Sequence, residues 1–85
     1  MLVEVKKGSA PSPIHYANVV DGKKRLELVV SENYINVVVH NASHRAWRGM
    51  GKFYANLQEA LEGYQSAAYR QMIEAGYSAI NGNFG

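Results

Sequence analysis

The feature that most constrains the fold is a change in the spacing of apolar side chains part-way along the chain. Up to residue 40, apolar and polar residues alternate, which is typical of β-strands with one buried face. From residue 56 onward, apolar residues recur at helical spacing. Strands that all precede the helices predict an α+β fold, an antiparallel β-meander of about four strands followed by one or two C-terminal helices packed on one face of the sheet.

Four alternating segments predict the strands, which lie roughly within residues 2–40. They are Val3–Val5, Ile14–Val20, Leu26–Val30 and Ile35–Val39. A glycine and two prolines in residues 8–13, an Asp-Gly pair at 21–22 and the polar residues 31–33 mark the turns between them.

The turn positions fix the register, because an antiparallel pair keeps a constant sum of residue numbers. In the second hairpin, a two-residue turn at 32–33 places six apolar residues on one face: Leu26, Leu28, Val30, Ile35, Val37 and Val39. In the first hairpin, a two-residue turn at 21–22 would set Ala17 against Leu26. A three-residue turn at 20–22 instead sets Tyr16 against Leu26 and is favoured, since it gives its glycine the left-handed position of a bulge.

The other face of this predicted sheet is half-apolar. It carries Ala17, Val29, Tyr34 and Val38 among the polar residues Arg25, Glu27 and Asn36. A face of this composition is too apolar for simple solvent exposure and too polar for a full core. Val29, Tyr34 and Val38 are therefore candidate residues of an oligomer interface, and a homodimer is expected.

The helical region spans residues 56–80 and is followed by a short tail at 81–85. Asn56 and Glu59 have the spacing of a capping box, which predicts a helix start. Gly63 interrupts the pattern, and Ser66 is placed to cap a second helix. Gly76 is expected to end or bend that second helix early.

Composition limits the class of protein. The chain has 85 residues, of which 47% are hydrophobic and 19% charged, and this balance indicates a single folded domain over residues 1–85. It contains no cysteine, so a disulfide scaffold and thiolate chemistry are excluded. The charged, alternating N-terminal residues are unlike a signal peptide, and no apolar run is long enough to cross a membrane, so a cytoplasmic location is expected.

Residues 41–54 form a predicted loop that combines basic and aromatic side chains. Its basic members are Arg45, Arg48 and Lys52, and its aromatic members are Trp47, Phe53 and Tyr54. The charge of the chain is also divided: residues before 55 include eight basic and four acidic side chains, and those from 55 onward one basic and three acidic. The strand region is therefore basic and the helical region acidic.

Basic groups neutralise phosphates and aromatic rings stack on bases, so this pattern predicts a small non-enzymatic module that binds nucleic acid, preferably single-stranded. The candidate binding residues are Arg45, Trp47, Arg48, Lys52, Tyr54 and, at a hairpin tip, Lys23, Lys24 and Arg25. The alternative for the loop is structural: Trp47 and Phe53 complete the core, and the basic groups are simply solvated.

A protein-interaction module, such as a compact inhibitor or accessory protein of a phage or mobile element, is the alternative function. It would act through the half-apolar sheet face, through the same loop, or through an acidic helical face with Glu59, Glu62 and Glu74. A small-molecule pocket between sheet and helices is a third hypothesis, because six tyrosines could line it or belong to the core.

The sequence predicts neither an enzyme nor a cofactor. Ser43 beside His44 has no third partner for a catalytic triad, and the glycines at 49 and 51 match no phosphate-binding loop. His40 and His44 would share a metal ion only on one helix face, whereas His40 ends a predicted strand. No metal site is expected.

Overall fold

The computed structural model describes residues 1–7, 14–40 and 51–84. The strands are β1 (Leu2–Lys7), β2 (His15–Asp21), β3 (Lys24–Val30), β4 (Ile35–His40) and β5 (Lys52–Tyr54), and the helices are α1 (Leu57–Glu62) and α2 (Ala67–Phe84). The strands form one antiparallel sheet in the order β1-β2-β3-β4-β5. The α+β meander with C-terminal helices is thereby confirmed.

A fifth strand extends the predicted sheet. Residues 52–54, assigned to the loop from sequence, form β5 and pair with β4, with Tyr54 opposite Ile35 and Phe53 opposite Asn36. Three residues are too few to show the alternation of apolar and polar side chains that predicts a strand. Only the pairing with β4 therefore identifies β5 as a strand.

The register of the second hairpin is confirmed. Val30 pairs with Ile35, and the pairing continues so that all six predicted apolar residues share a face. The turn is closed by a hydrogen bond of 3.0 Å from the Ser31 amide to the Tyr34 carbonyl. The Ser31 hydroxyl oxygen accepts a second hydrogen bond from the Asn33 amide. The serine side chain thus satisfies a turn amide, as is typical of this residue.

The predicted register of the first hairpin is wrong. The turn consists of Gly22 and Lys23, and Gly22 has a φ of 62°, the left-handed conformation that glycine adopts without strain. The pairing consequently sets Ala17 opposite Leu28 and places Tyr16 on the other face of the sheet. Ala17 belongs to the core, with no exposed surface, instead of the half-apolar face.

The reason for this register is a close approach between α2 and the sheet. A Cβ added to Gly76 would lie 3.1 Å from Val19 Cγ2 and 3.4 Å from the Ala17 Cβ. Ala17 and Val19 have side chains small enough for the helix to approach this closely. A tyrosine on the same face of β2 would not fit against Gly76. Gly76 therefore does not end α2, which continues to Phe84, beyond the predicted limit of 80.

The core lies between the helices and one face of the sheet. Among the described residues it contains no buried polar or charged residue, and its members are Ala17, Val19, Leu26, Leu28, Ile35, Val37, Ala60, Met72, Ile73 and Ile80. α2 packs on β1, β2 and β3, while α1 packs on β4 and β5. Each helix thus covers its own part of the same sheet face.

Both helix starts agree with the sequence. The Asn56 side chain accepts a hydrogen bond from the Glu59 amide at 2.9 Å, and the Glu59 carboxylate accepts one from the Ala55 amide at 3.1 Å. At the start of α2, the Ser66 hydroxyl oxygen accepts a hydrogen bond of 3.5 Å from the Tyr69 amide. In the part of the chain that the structure describes, no helix is both long and apolar enough to span a membrane.

Candidate nucleic-acid interface

The helices cover one face of the sheet and leave the other without a described helix or strand on it. We call this second surface the open face. Because side chains alternate across a strand, the pairing of neighbouring strands aligns its residues in rows that run across the sheet. Three rows can be followed, and they differ in chemistry.

One row crosses all five strands and carries most of the aromatic surface; we call it the aromatic row. It consists of Lys6, Tyr16, Val29, Asn36 and Phe53, one residue from each strand in spatial order. With about 4.8 Å between neighbouring strands, the row is about 19 Å long. It begins with a cation, ends with a ring and has a second ring on β2.

Tyr34 adds a third ring at the β5 end of this row. Its centroid is 5.2 Å from that of Phe53, with the two ring planes at 68°, an edge-to-face contact. Phe53 is nevertheless 66% exposed. The structural interpretation of Phe53, as a residue that completes the core, is therefore wrong, and the tyrosine contact holds its ring at the surface.

A glycine makes room for the amide in the aromatic row. A Cβ on Gly51 would overlap the Asn36 Oδ1 atom, so a side chain at position 51 would displace Asn36. The same Oδ1 atom is buried and accepts no hydrogen bond from the described residues. Asn36 thus lies between Val29 and Phe53 in the row.

The other two rows mix polar and charged residues with apolar ones. Glu4, Asn18, Glu27 and Val38 form the middle row, and Leu2, Val20, Arg25 and His40 form the row at the opposite end of the face. All of these residues except Val38 border a recess of about 600 Å³. The face as a whole therefore grades from aromatic at one end, through two carboxylates, to a cation and an imidazole at the other.

The three hairpin-tip cations lie at the same end of the sheet but not on the same face. Arg25 lies on the open face opposite His40, while Lys24 pairs with Asp21 and Lys23 occupies the exposed turn. The three predicted residues therefore form one basic end of the sheet, although only Arg25 belongs to the open face.

The predicted residues of the loop divide into two groups. Arg45, Trp47 and Arg48 lie outside the described residues. Lys52 and Tyr54 flank Phe53 on β5 and therefore lie on the other face, toward the helices. Among the three residues of β5, Phe53 is the one on the open face.

Tyr54 belongs to a cluster of tyrosines between β5 and the helices. Its ring centroid is 6.3 Å from that of Tyr64, which is 6.2 Å from Tyr69. The pKa of Tyr64 is raised to about 12. The main cause is burial of its side chain, and the nearby Tyr54 and a hydrogen bond with Tyr54 are the smaller causes. Tyr54 also passes close to Gly63, where a Cβ would lie 2.6 Å from its hydroxyl oxygen. These three tyrosines connect the helices to the sheet.

The three predicted interface residues lie on one face of the sheet. Val29, Tyr34 and Val38 are half-buried and occupy the open-face side of β3, β4 and the turn between them. Sequence reasoning did not place Lys6, Tyr16 and Phe53 on this surface. The correct turn at Gly22 and Lys23 was the signal that would have placed Tyr16 there.

No group of three or more potential metal ligands occurs among residues 1–7, 14–40 and 51–84. Comparison with protein-family models, with curated proteins and with solved structures gives no match. The function is therefore inferred from the chemistry of the open face itself.

Proposed function

We propose that this protein is a non-enzymatic binding module that takes up single-stranded nucleic acid on its open face. The observation that carries the proposal is the exposed Phe53 ring, held by Tyr34 in a row that also contains Tyr16. A large ring kept at the surface costs hydrophobic stabilisation, which a binding partner would restore by covering it.

Unpaired bases are suited to such a surface. Bases stack on exposed aromatic rings, and each contact contributes about 1–3 kcal/mol with little dependence on sequence. Duplex bases are already stacked on one another, so their faces are not available to Phe53 or Tyr34. Rings presented on an uncovered sheet are the usual device of modules that bind single strands.

The charges of the face restrict the path of the strand. Lys6 lies in the aromatic row, and Arg25 lies at the other end beside the exposed Lys23. Glu4 and Glu27 stand between them and repel phosphates. The backbone of a bound strand would therefore follow the aromatic row past Lys6, with its bases turned onto the rings.

A partner protein is the second candidate, and the middle row is the observation that favours it. Glu4 and Glu27 lie on either side of Asn18, in a recess that also borders Arg25. Two carboxylates beside exposed apolar surface suit a partner with basic and apolar side chains. Such a partner would bind with an affinity that does not depend on nuclease treatment.

The deciding experiment is fluorescence polarisation with labelled single-stranded DNA, single-stranded RNA and duplex DNA at low and near-physiological salt. We expect the single strands to bind more tightly than the duplex and the affinity to fall as salt rises. No binding of any nucleic acid at low salt would contradict the proposal and favour the protein partner.

Two matched lysine and arginine variants test the location. Lys6→Ala removes a cation from the aromatic row, whereas Arg70→Ala removes an exposed cation from α2. We expect Lys6→Ala to weaken binding and reduce the salt dependence by about one phosphate contact, and Arg70→Ala to change neither. Equal effects of the two variants would show that binding depends on net charge rather than on the open face.

A further inference from the structure

The outer edge of β1 adjoins the open face and is a candidate for a second interaction surface. β1 is at the end of the strand order, and no described strand pairs with its outer side. It is six residues long, whereas the other end strand, β5, has three. An edge strand of this length presents a row of backbone donors and acceptors that can pair with another chain.

The helix layer holds β1 in place for pairing. Val3 and Val5 pack against the core from the helix side, and α2 contacts the strand directly. Leu2, Glu4 and Lys6 alternate with them on the open face. The strand is thus extended and anchored on one face before any partner arrives.

The side chains of β1 are complementary to those of a second copy in one symmetric register. When the residue numbers of opposed residues sum to ten, Glu4 lies opposite the second copy's Lys6 and Val5 lies opposite the second copy's Val5. Two opposite-charge pairs then form on the open face, and one apolar pair forms on the helix side. Directly opposed pairs of these kinds stabilise antiparallel strands.

The neighbouring registers are unfavourable. A sum of eight sets Glu4 against Glu4, and a sum of twelve sets Lys6 against Lys6, each a like-charge contact at the symmetry axis. An odd sum would oppose residues that belong to different faces of the sheet. Lysine on an edge strand normally discourages pairing, and here Glu4 two residues earlier offsets it in only one register.

We propose that two copies of this chain associate through β1, edge to edge, in the register that opposes Glu4 to Lys6. The two sheets become one continuous sheet, with both helix layers on the same side and the two open faces adjacent. This interface differs from the one predicted at Val29, Tyr34 and Val38, and it leaves those residues accessible.

The test is sedimentation velocity of the full chain over a range of concentrations, without nucleic acid. The wild-type chain should dimerise in a concentration-dependent manner. Glu4→Lys sets lysine against lysine, and Lys6→Glu sets glutamate against glutamate, so each should weaken the dimer on the order of tenfold. Circular dichroism checks that each variant remains folded.

Two further samples identify the register. An equimolar mixture of Glu4→Lys and Lys6→Glu opposes lysine to glutamate at both positions, so it should dimerise as wild type does. The double variant, which exchanges the two charges within one chain, should also regain dimerisation and decides the matter if either single variant unfolds. A monomer at all concentrations, a dimer insensitive to the single variants, or a mixture that stays monomeric would each overturn the proposal.

Discussion

The two faces of this sheet are made from the same strands and have opposite chemistry. On the helix side, Val19, Leu28 and Val37 are fully buried and continuous with the helix residues. On the open face, their neighbours in sequence include the exposed Asn18 and the half-exposed Val29 and Val38. One face therefore carries the core of the fold, and the other is the face on which we propose that a partner binds. Substitutions at adjacent positions should separate these two roles.

The largest effect is expected from adjacent positions on β3. Leu28 has no exposed surface, so Leu28→Ala leaves a cavity and should lower the free energy of unfolding by about 2–5 kcal/mol. Val29→Ala, one residue along and on the open face, should lower it by about 1 kcal/mol or less. Chemical denaturation measures both. Similar losses at the two positions would show that the open face is packed as firmly as the core.

The same contrast can be drawn within α2 at its two glycines. Gly76 faces Val19 and Ala17 at close range, whereas a Cβ on Gly82 would meet nothing within 4 Å. Gly76→Leu should overpack the helix–sheet contact and destabilise the protein by about 1–3 kcal/mol. Gly82→Leu should stabilise it, by up to about 1 kcal/mol, because leucine favours the helix more than glycine. Thermal and denaturant unfolding of both variants test this difference, and a stable Gly76→Leu variant would contradict the close approach.

The first hairpin shows what the sequence could not reveal. A three-residue turn at 20–22 gives Gly22 the left-handed position of a bulge and sets Tyr16 against Leu26, so the sequence predicted that Tyr16 faces the core. The decisive contact is that of Ala17 and Val19 with Gly76, which follows them in the chain by 59 and 57 residues. A small residue on a strand is informative only when the helix that approaches it is known, and the alternation alone carries no such long-range information.

The second hairpin was predictable because the apolar residues of its two strands fall on the same face in a single register. Six apolar residues align in one register, and a shift of one residue would turn all of them away from the core.

The exposed Phe53 was also within the predicted functional segment. Its separation from Lys52 and Tyr54 depends on β5, whose three residues form a strand only through pairing with β4.

A prediction that sharpens the comparison concerns one ring on each face. Phe53→Ala should weaken the binding of single-stranded nucleic acid by about 1–3 kcal/mol, because a stacking surface is lost. Its effect on stability should be small, since the side chain is 66% exposed. Tyr69→Ala, on the helix side, should lower stability without lowering the affinity of the folded molecules. Polarisation and denaturation of both variants complete the test, and a loss of affinity at Tyr69 alone would place the binding surface on the helices.

The smallest expected effect is a pH dependence that arises on the helix side. Because the pKa of Tyr64 is raised to about 12 in the folded state, the unfolded chain loses this proton first as pH rises. Between about pH 10 and pH 12, the folded state therefore holds more protons than the unfolded state, and stability falls with rising pH. The contribution of Tyr64 to the free energy of unfolding is complete at pH values below the ordinary pKa of tyrosine. It is lost as the pH rises through the pKa that Tyr64 has in the folded state. Tyr64→Phe should reduce this loss, as measured by denaturation at about pH 9 and about pH 11. Tyr34→Phe on the open face is the control, and an equal change in both variants would mean that the helix-side cluster does not cause the dependence.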